Sequence, residues 1–286
     1  MAQASPQNPV PALRLPSGEK VPILGQGTWY MGEGHRPRKE EVAALQLGID
    51  LGMTLIDTAE MYGSGAAEEV VGEAIAGQRE KVFLVDKVLP SHASRRGTIQ
   101  ACERSLKRLR TDRIDLYLLH WEGPYPLEDT IEAFEELVRS GKIRYWGVSN
   151  FDTADMEELV SVKGGSKVTT NQVLYNLTRR GIEWDLLPWH RKRSIPIMAY
   201  SPIEQGRMLR NPTLQRIAAL HGVTPAQVAL NWLLRQGDIM VIPKASRAEH
   251  VRDNRAAVDV QLTAEDLAQL DQAFPAPTRK RPLEVL

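Results

Sequence analysis

Apolar residues recur along this chain in two alternating rhythms. Short, nearly continuous apolar runs occupy Thr54–Ile56, Val82–Val85, Ile114–Leu119, Ile143–Val148, Thr169–Leu174, Ile195–Ala199 and Ile239–Ile242, with Gln26–Trp29 a weaker first member. Runs of this kind fit strands of a parallel sheet covered on both faces. Between them the apolar positions fall at helical spacing. In Thr98–Leu109 the stripe is Ile99, Cys102, Leu106 and Leu109, with Arg104, Lys107 and Arg108 on other faces. In Leu127–Arg139 it is Leu127, Ile131, Phe134, Leu137 and Val138, and Gly141 supplies a stop. Thr224-Pro225 opens a further helix over Ala226–Arg235, with Thr as N-cap and Pro in the first turn. Similar patterns predict helices over Lys39–Leu51, Ala66–Ala76, Thr153–Ser161, Gly181–Arg191, Leu214–His221, Ser246–Arg255 and Thr263–Ala273.

Strand-then-helix units repeated in this way, without a linker between them, predict an α/β fold of one domain spanning 1–286, a (β/α)8 TIM barrel. Residues 1–12 read as a loose polar leader. Two short apolar stretches around Pro16-Ser17-Gly18 predict an N-terminal β-hairpin, Thr263–Ala273 an extra C-terminal helix, and 275–286 a tail. A doubly wound sheet would carry a glycine-rich phosphate loop. The nearest match, Gly25 to Gly32, has its third glycine two places late and no helix directly after it, and is set aside.

Composition narrows the chemistry. The 36 basic and 36 acidic residues balance, which removes an electrostatic case for nucleic-acid or membrane-surface binding. Cys102 is the only cysteine, so an internal disulfide and a Cys-rich metal site are both excluded. The six histidines show no ligand spacing, which argues against a metal-dependent barrel hydrolase and predicts no metal site. No apolar run is long enough to span a bilayer and the start lacks the regions of a signal peptide, so the expectation is a cytoplasmic protein.

Barrel enzymes present functional side chains at the C-terminal ends of their strands. Here three consecutive strands end Leu55-Ile56-Asp57, Val85-Asp86-Lys87 and Leu118-Leu119-His120, with Tyr62 on the loop beyond the first. Singly, Asp57 reads as a turn cap, His120 as a core histidine and Tyr62 as a packing aromatic. A lysine inside an apolar strand is harder to dismiss, because it is rarely buried without a partner. Together they suit proton donation to a carbonyl oxygen. A free tyrosine, with a pKa of about 10, is a poor acid at neutral pH, and a nearby ammonium favours its phenolate. Asp57 would anchor Lys87, and His120 would orient the substrate oxygen. No side chain supplies a hydride, so the set calls for a nicotinamide.

These residues lie in segments that resemble the aldo-keto reductase family from Leu13 to about Ala276: LIDTAEMYG, Lys87 in its apolar strand, LLHW, GVSNF (Gly147–Phe151), TNQVLYN (Thr170–Asn176), AYSP (Ala199–Pro202) and IPKAS…N (Ile242–Asn254). Within it, the phrases GQGTWYMGE, TLIDTAEMY and DLLPW are most similar to prokaryotic methylglyoxal-reductase-type members. The resemblance implies an NADPH-dependent oxidoreductase reducing aldehydes, including methylglyoxal and related small carbonyls, to alcohols, with Tyr62 as general acid. It implies that Ser149, Asn150 and Gln172 bind the nicotinamide carboxamide and Tyr200 stacks on the ring. Thr28 and Trp29 would lie near that ring, and Ser201 and Ile203 nearer the pyrophosphate. Lys244, Ser246, Arg247, His250 and Asn254 align with the pocket for the adenosine 2′-phosphate and adenine. Ala245 and His250 depart from the family's usual serine and arginine, which leaves NADH as the alternative to NADPH. Ser246 is expected to begin a helix whose free N–H groups favour an anion.

Trp29, Tyr30, Trp121 and Phe151 are candidate substrate walls, and the short tail should leave one side of the pocket open. The expected partner is a small aldehyde or ketone, with neither nucleic acid nor membrane, and the resemblance implies a monomer. The competing reading is a cofactor-sensing regulatory subunit on the same fold, with little turnover.

Overall fold

The computed structural model describes residues 8–286; of the expected leader, 1–7 lie outside the described residues. Strands β1 (Ala12–Arg14) and β2 (Lys20–Pro22) pair antiparallel, as the turn at Pro16-Ser17-Gly18 predicts. Glu19 in this hairpin accepts from Tyr145 Oη at 2.7 Å and from Arg144 at 3.0 Å. The hairpin is thereby fastened to the end of the barrel where strands begin. Residues 8–11 are not loose: Asn8 donates to Asp259 at 2.9 Å and its carbonyl accepts from Arg255.

The barrel follows in order. It comprises β3 (Gln26–Gly27), α1 (Arg38–Asp50), β4 (Leu55–Asp57), α2 (Ala66–Ala74), β5 (Phe83–Val88), α3 (Arg95–Leu109), β6 (Ile114–Leu119), α4 (Leu127–Arg139), β7 (Ile143–Ser149) and α5 (Thr153–Ser161). After these come β8 (Asn171–Leu174), α6 (Leu186–Arg193), β9 (Ile197–Tyr200), α7 (Pro212–His221), α8 (Pro225–Leu234), β10 (Ile239–Val241), α9 (Ala248–Ala256) and α10 (Ala264–Ala273). Strands β3 to β10 form one parallel sheet in chain order. Isolated parallel bridges Leu24–Val241 and Gly27–Lys244 close it. Glycine is required at that seam, since a Cβ on Gly27 would fall 2.8 Å from the Ile242 carbonyl oxygen.

Local chemistry sets several boundaries. Thr224 and Gln227 form a reciprocal capping box at the start of α8, as Asp152 and Asp155 do for α5. Ser94 accepts from the Gly97 N–H and starts α3 three residues before the expected Thr98. The helix expected over Gly181–Arg191 is broken: a short 3-10 turn at Gly181–Glu183 precedes α6. Pro188, lacking an N–H, belongs in a first turn and would interrupt the longer helix. The first strand ends at Gly27 because the chain turns at Thr28–Met31, with Tyr30 in a left-handed conformation (φ 67°). Every residue of β5 and β6 is buried, including Asp86, Lys87 and Asp115. Among the described residues no helix is long and apolar enough to cross a membrane.

Candidate active site

Strands β4, β5 and β6 and the turn after β4 bring Asp57, Lys87, His120 and Tyr62 to the C-terminal rim. Lys87 has no exposed surface, and its ammonium donates to Asp57 at 2.8 Å, to the Thr58 carbonyl at 2.8 Å and to Tyr62 Oη at 3.3 Å. The Tyr62 and His120 rings meet edge to face at 5.9 Å. Thr28 Oγ1 donates to the Asp57 carbonyl at 2.9 Å and holds the end of β4 in place.

Burial opposes charge throughout this group. It works to strip the proton from Lys87, but Asp57 and Tyr62 outweigh it and hold the ammonium above its usual range. Burial also pushes the Asp57 carboxyl up, partly offset by Lys87 and by a hydrogen bond from Gln172. The proton of the pair therefore stays on Lys87. Burial likewise raises the Tyr62 phenol, and the pull from Lys87 does not bring it below its ordinary value. Sequence reasoning weighed only the ammonium and expected net lowering; desolvation is the larger effect. The outcome is a neutral phenol at neutral pH, held beside a cation that stabilises phenolate as it forms. Burial, with a smaller push from Lys87, drops His120 to about 3, so its imidazole is neutral and can donate one N–H without becoming charged. Its buried Nδ1 has no partner among the described residues.

Several expected cofactor residues gather around this centre. Ser149 Oγ donates to the Gln172 carbonyl at 2.8 Å. Asn150 turns the chain off β7 in a left-handed conformation (φ 59°), which asparagine tolerates, and donates to the His120 carbonyl at 3.1 Å. Tyr200 Oη donates to Asn150 Oδ1 at 2.9 Å, and burial raises its phenol to about 12. Ser201, also left-handed (φ 46°), and Ile203 continue from the end of β9. Trp29 stacks on Tyr30 at 4.3 Å.

A second group sits beyond β10. Lys244 Nζ donates to Ser246 Oγ at 3.3 Å, Arg247 pairs with Glu249 at 3.2 Å, and His250 Nε2 lies 3.7 Å from the same carboxylate. Asn254 is buried on α9. Contrary to expectation, Ser246 does not begin the helix: Arg247 is the N-cap and Ala248 the first residue, so Ser246 belongs to the preceding turn beside Lys244.

Two corrections concern the mouth. Tyr30 and Trp121 are exposed there, but Phe151 has no exposed surface and packs in the core, with both backbone groups bonded to Asn171; it offers no face to a substrate. The tail does not leave its side bare. Glu284 pairs with Arg179 at 2.6 Å, Lys280 with Asp185 at 3.0 Å, and the Leu286 N–H reaches Tyr200 Oη at 3.3 Å. Sequence reasoning also missed Glu60. This buried carboxylate accepts from the Leu89 N–H at 2.8 Å and lies 2.9 Å from His92 Nδ1, tying the turn that carries Tyr62 to the loop leaving β5. A lone glutamate in a loop reads as solvated, and nothing in the sequence marks it otherwise.

The chain is 54% identical over 271 residues to methylglyoxal reductase YeaE of Escherichia coli, covering 93% of this chain and 95% of that one. It is 34% identical over 264 residues to glyoxal reductase of Bacillus subtilis, covering 91% of each. An aldo/keto reductase from Klebsiella pneumoniae, crystallised with NADP and acetate, superposes with a TM-score of 0.94 at 51% identity, covering 96% of this chain and 99% of that one. The family model described as aldo/keto reductase matches residues 23–274, and with a match over that span and relatives this similar the chain belongs to the aldo/keto reductase family.

Proposed function

We propose that this protein is an NADPH-dependent reductase of small aldehydes and dicarbonyls, methylglyoxal among them, with Tyr62 as the general acid. The observation that carries the reading is the Lys87 ammonium, fully buried, 2.8 Å from Asp57 and 3.3 Å from Tyr62 Oη. Such an arrangement makes a phenol the proton donor for an oxygen that is becoming an alkoxide. Neutral His120 beside it donates a hydrogen bond to the same oxygen and fixes the carbonyl's direction.

The residues present fit a nicotinamide dinucleotide. Gln172 and Asn150 carry amide groups at the rim, and the half-buried Tyr200 ring is a stacking platform beside them. Lys244, Ser246 and Arg247 precede the N-terminus of α9, where free N–H groups and cations suit a phosphate. When bound, the nicotinamide supplies the hydride that no side chain can. Tyr62 then gives its proton from Oη to the substrate oxygen, Lys87 stabilises the phenolate left behind, and Asp57 keeps Lys87 charged. Tyr30 and Trp121 offer apolar surface to the substrate.

The relatives named for methylglyoxal and glyoxal support the substrate class, and the Klebsiella complex supports the cofactor. The test is an aldehyde panel including methylglyoxal, assayed separately with NADPH and NADH. Tyr62→Phe should nearly abolish turnover while the NADPH dissociation constant changes little; retention of most of the rate would reassign the acid. His250→Arg should tighten NADPH more than NADH, because a guanidinium binds phosphate in a bidentate manner that an imidazole cannot. Equal changes would speak against a phosphate contact there.

A further inference from the structure

Asp57 is 2% exposed, and a carboxylate only accepts hydrogen bonds, so the donors facing it decide how firmly it holds its charge. Lys87 reaches it from β5. From β8, Gln172 Nε2 donates to Asp57 Oδ1 at 2.7 Å, and Gln172 is itself 2% exposed. Because a carboxylate cannot donate, the amide nitrogen must face Asp57, which turns Gln172 Oε1 away from it. Among the described residues no donor reaches that oxygen.

We propose that Gln172 is a positioning residue for the acid: by donating to Asp57 it keeps the Asp57–Lys87 ion pair charged beside the Tyr62 hydroxyl, while its oxygen is left to accept from the cofactor's amide. The inference rests on the reading of Tyr62 as the acid and adds to it a connection between cofactor recognition and acid strength. The ionisable groups that face Tyr62 are Lys87 on β5, Asp57 on β4, His120 after β6 and Tyr200 on β9, and Asp86, on the opposite face of β5 from Lys87, acts on it only through its charge. Of these, Gln172 donates to Asp57 alone.

Loss of that donor has one sign by either route. If Asp57 keeps its charge, the charge is less shielded and opposes phenolate. If Asp57 instead takes a proton from Lys87, Tyr62 loses the cation 3.3 Å away. In both cases Tyr62 holds its proton more tightly.

The test is Gln172→Met, which keeps length and removes the donor. Two midpoints are measured: the alkaline midpoint of alcohol oxidation at saturating cofactor, which follows the phenolate, and the ionisation of Tyr62 in the cofactor-free protein. The second is read from ring-carbon NMR and assigned by its loss in Tyr62→Phe. Both midpoints should rise by about half to one pH unit, a three- to tenfold change in proton affinity, as expected for losing part of a hydrogen bond to a charged group. Met198→Leu, which removes the other neighbour of Gln172 Nε2, should move neither. If Gln172→Met does not fold, Gln172→Asn, which withdraws the donor by one methylene, must show the same rise. Weaker NADPH binding with unmoved midpoints would overturn the proposal and leave Gln172 a cofactor contact only. Failure of the acid assignment itself would appear separately, as turnover retained in Tyr62→Phe.

Discussion

Replacing Lys87 with Met removes the ammonium from the Tyr62 hydroxyl while nearly preserving side-chain length. At 3.3 Å and an effective dielectric of about 20, the attraction between that ammonium and a phenolate is about 5 kcal/mol, or between three and four decades in proton affinity. Part of this is recovered, because Asp57 without its partner takes a proton and its negative charge disappears as well. The expected net effect is a fall in kcat of roughly 10²- to 10³-fold, within the usual range for general acid catalysis. The NADPH dissociation constant should stay within about threefold, since Lys87 faces Tyr62 and Asp57 rather than the residues assigned to the cofactor. Breaking a buried pair typically costs about 3–5 kcal/mol of stability, so turnover must be measured on protein shown to be folded by thermal unfolding. The double variant Lys87→Met with Asp57→Asn is the control: it should recover stability without recovering kcat. A single variant that keeps more than a tenth of the wild-type kcat would refute the electrostatic argument.

Other outcomes follow from the same structure. At the opposite end of the barrel, buried Asp115 accepts from Arg79 at 2.7 Å, Arg144 at 3.1 Å and the Leu84 N–H at 2.9 Å. Asp115→Ala should lower Tm by roughly 10 °C with kcat nearly unchanged, as read by a thermal melt and a standard assay. Burial drops His120 to about 3 and His190 to about 4, so below about pH 6.5 the unfolded chain binds protons that the folded one refuses. Tm should therefore fall as pH is lowered from about 6.5 toward 4, whereas a melt that is flat over that window would mean the imidazoles are not buried neutral. Burial pushes the Cys102 thiol far above its ordinary range, so a thiol reagent at pH 8 should label the native protein only at the rate of unfolding.

The barrel and its four central side chains were legible because their signals are local. Apolar runs such as Ile114–Leu119 must be strands buried on both faces, and a lysine within such a run announces a partner before that partner is known. Thr224 with Pro225 marks the start of α8 from adjacent residues, whereas the single helix expected over Gly181–Arg191 overlooks Pro188 and is broken ahead of it. Period, caps and breakers act over a turn or two of chain, so whatever depends only on them can be read from the order of residues. The rest depends on contacts between distant segments. Gln172 lies 115 residues from Asp57, and only closure of the sheet brings its amide within 2.7 Å. The same closure withdrew Phe151 from the mouth, buried Glu60 against Leu89 and His92, and carried the tail back to Tyr200. The Tyr62 phenol ends above its ordinary range, not below it, because desolvation is set by everything packed around a group and leaves no mark in the spacing of residues along the chain.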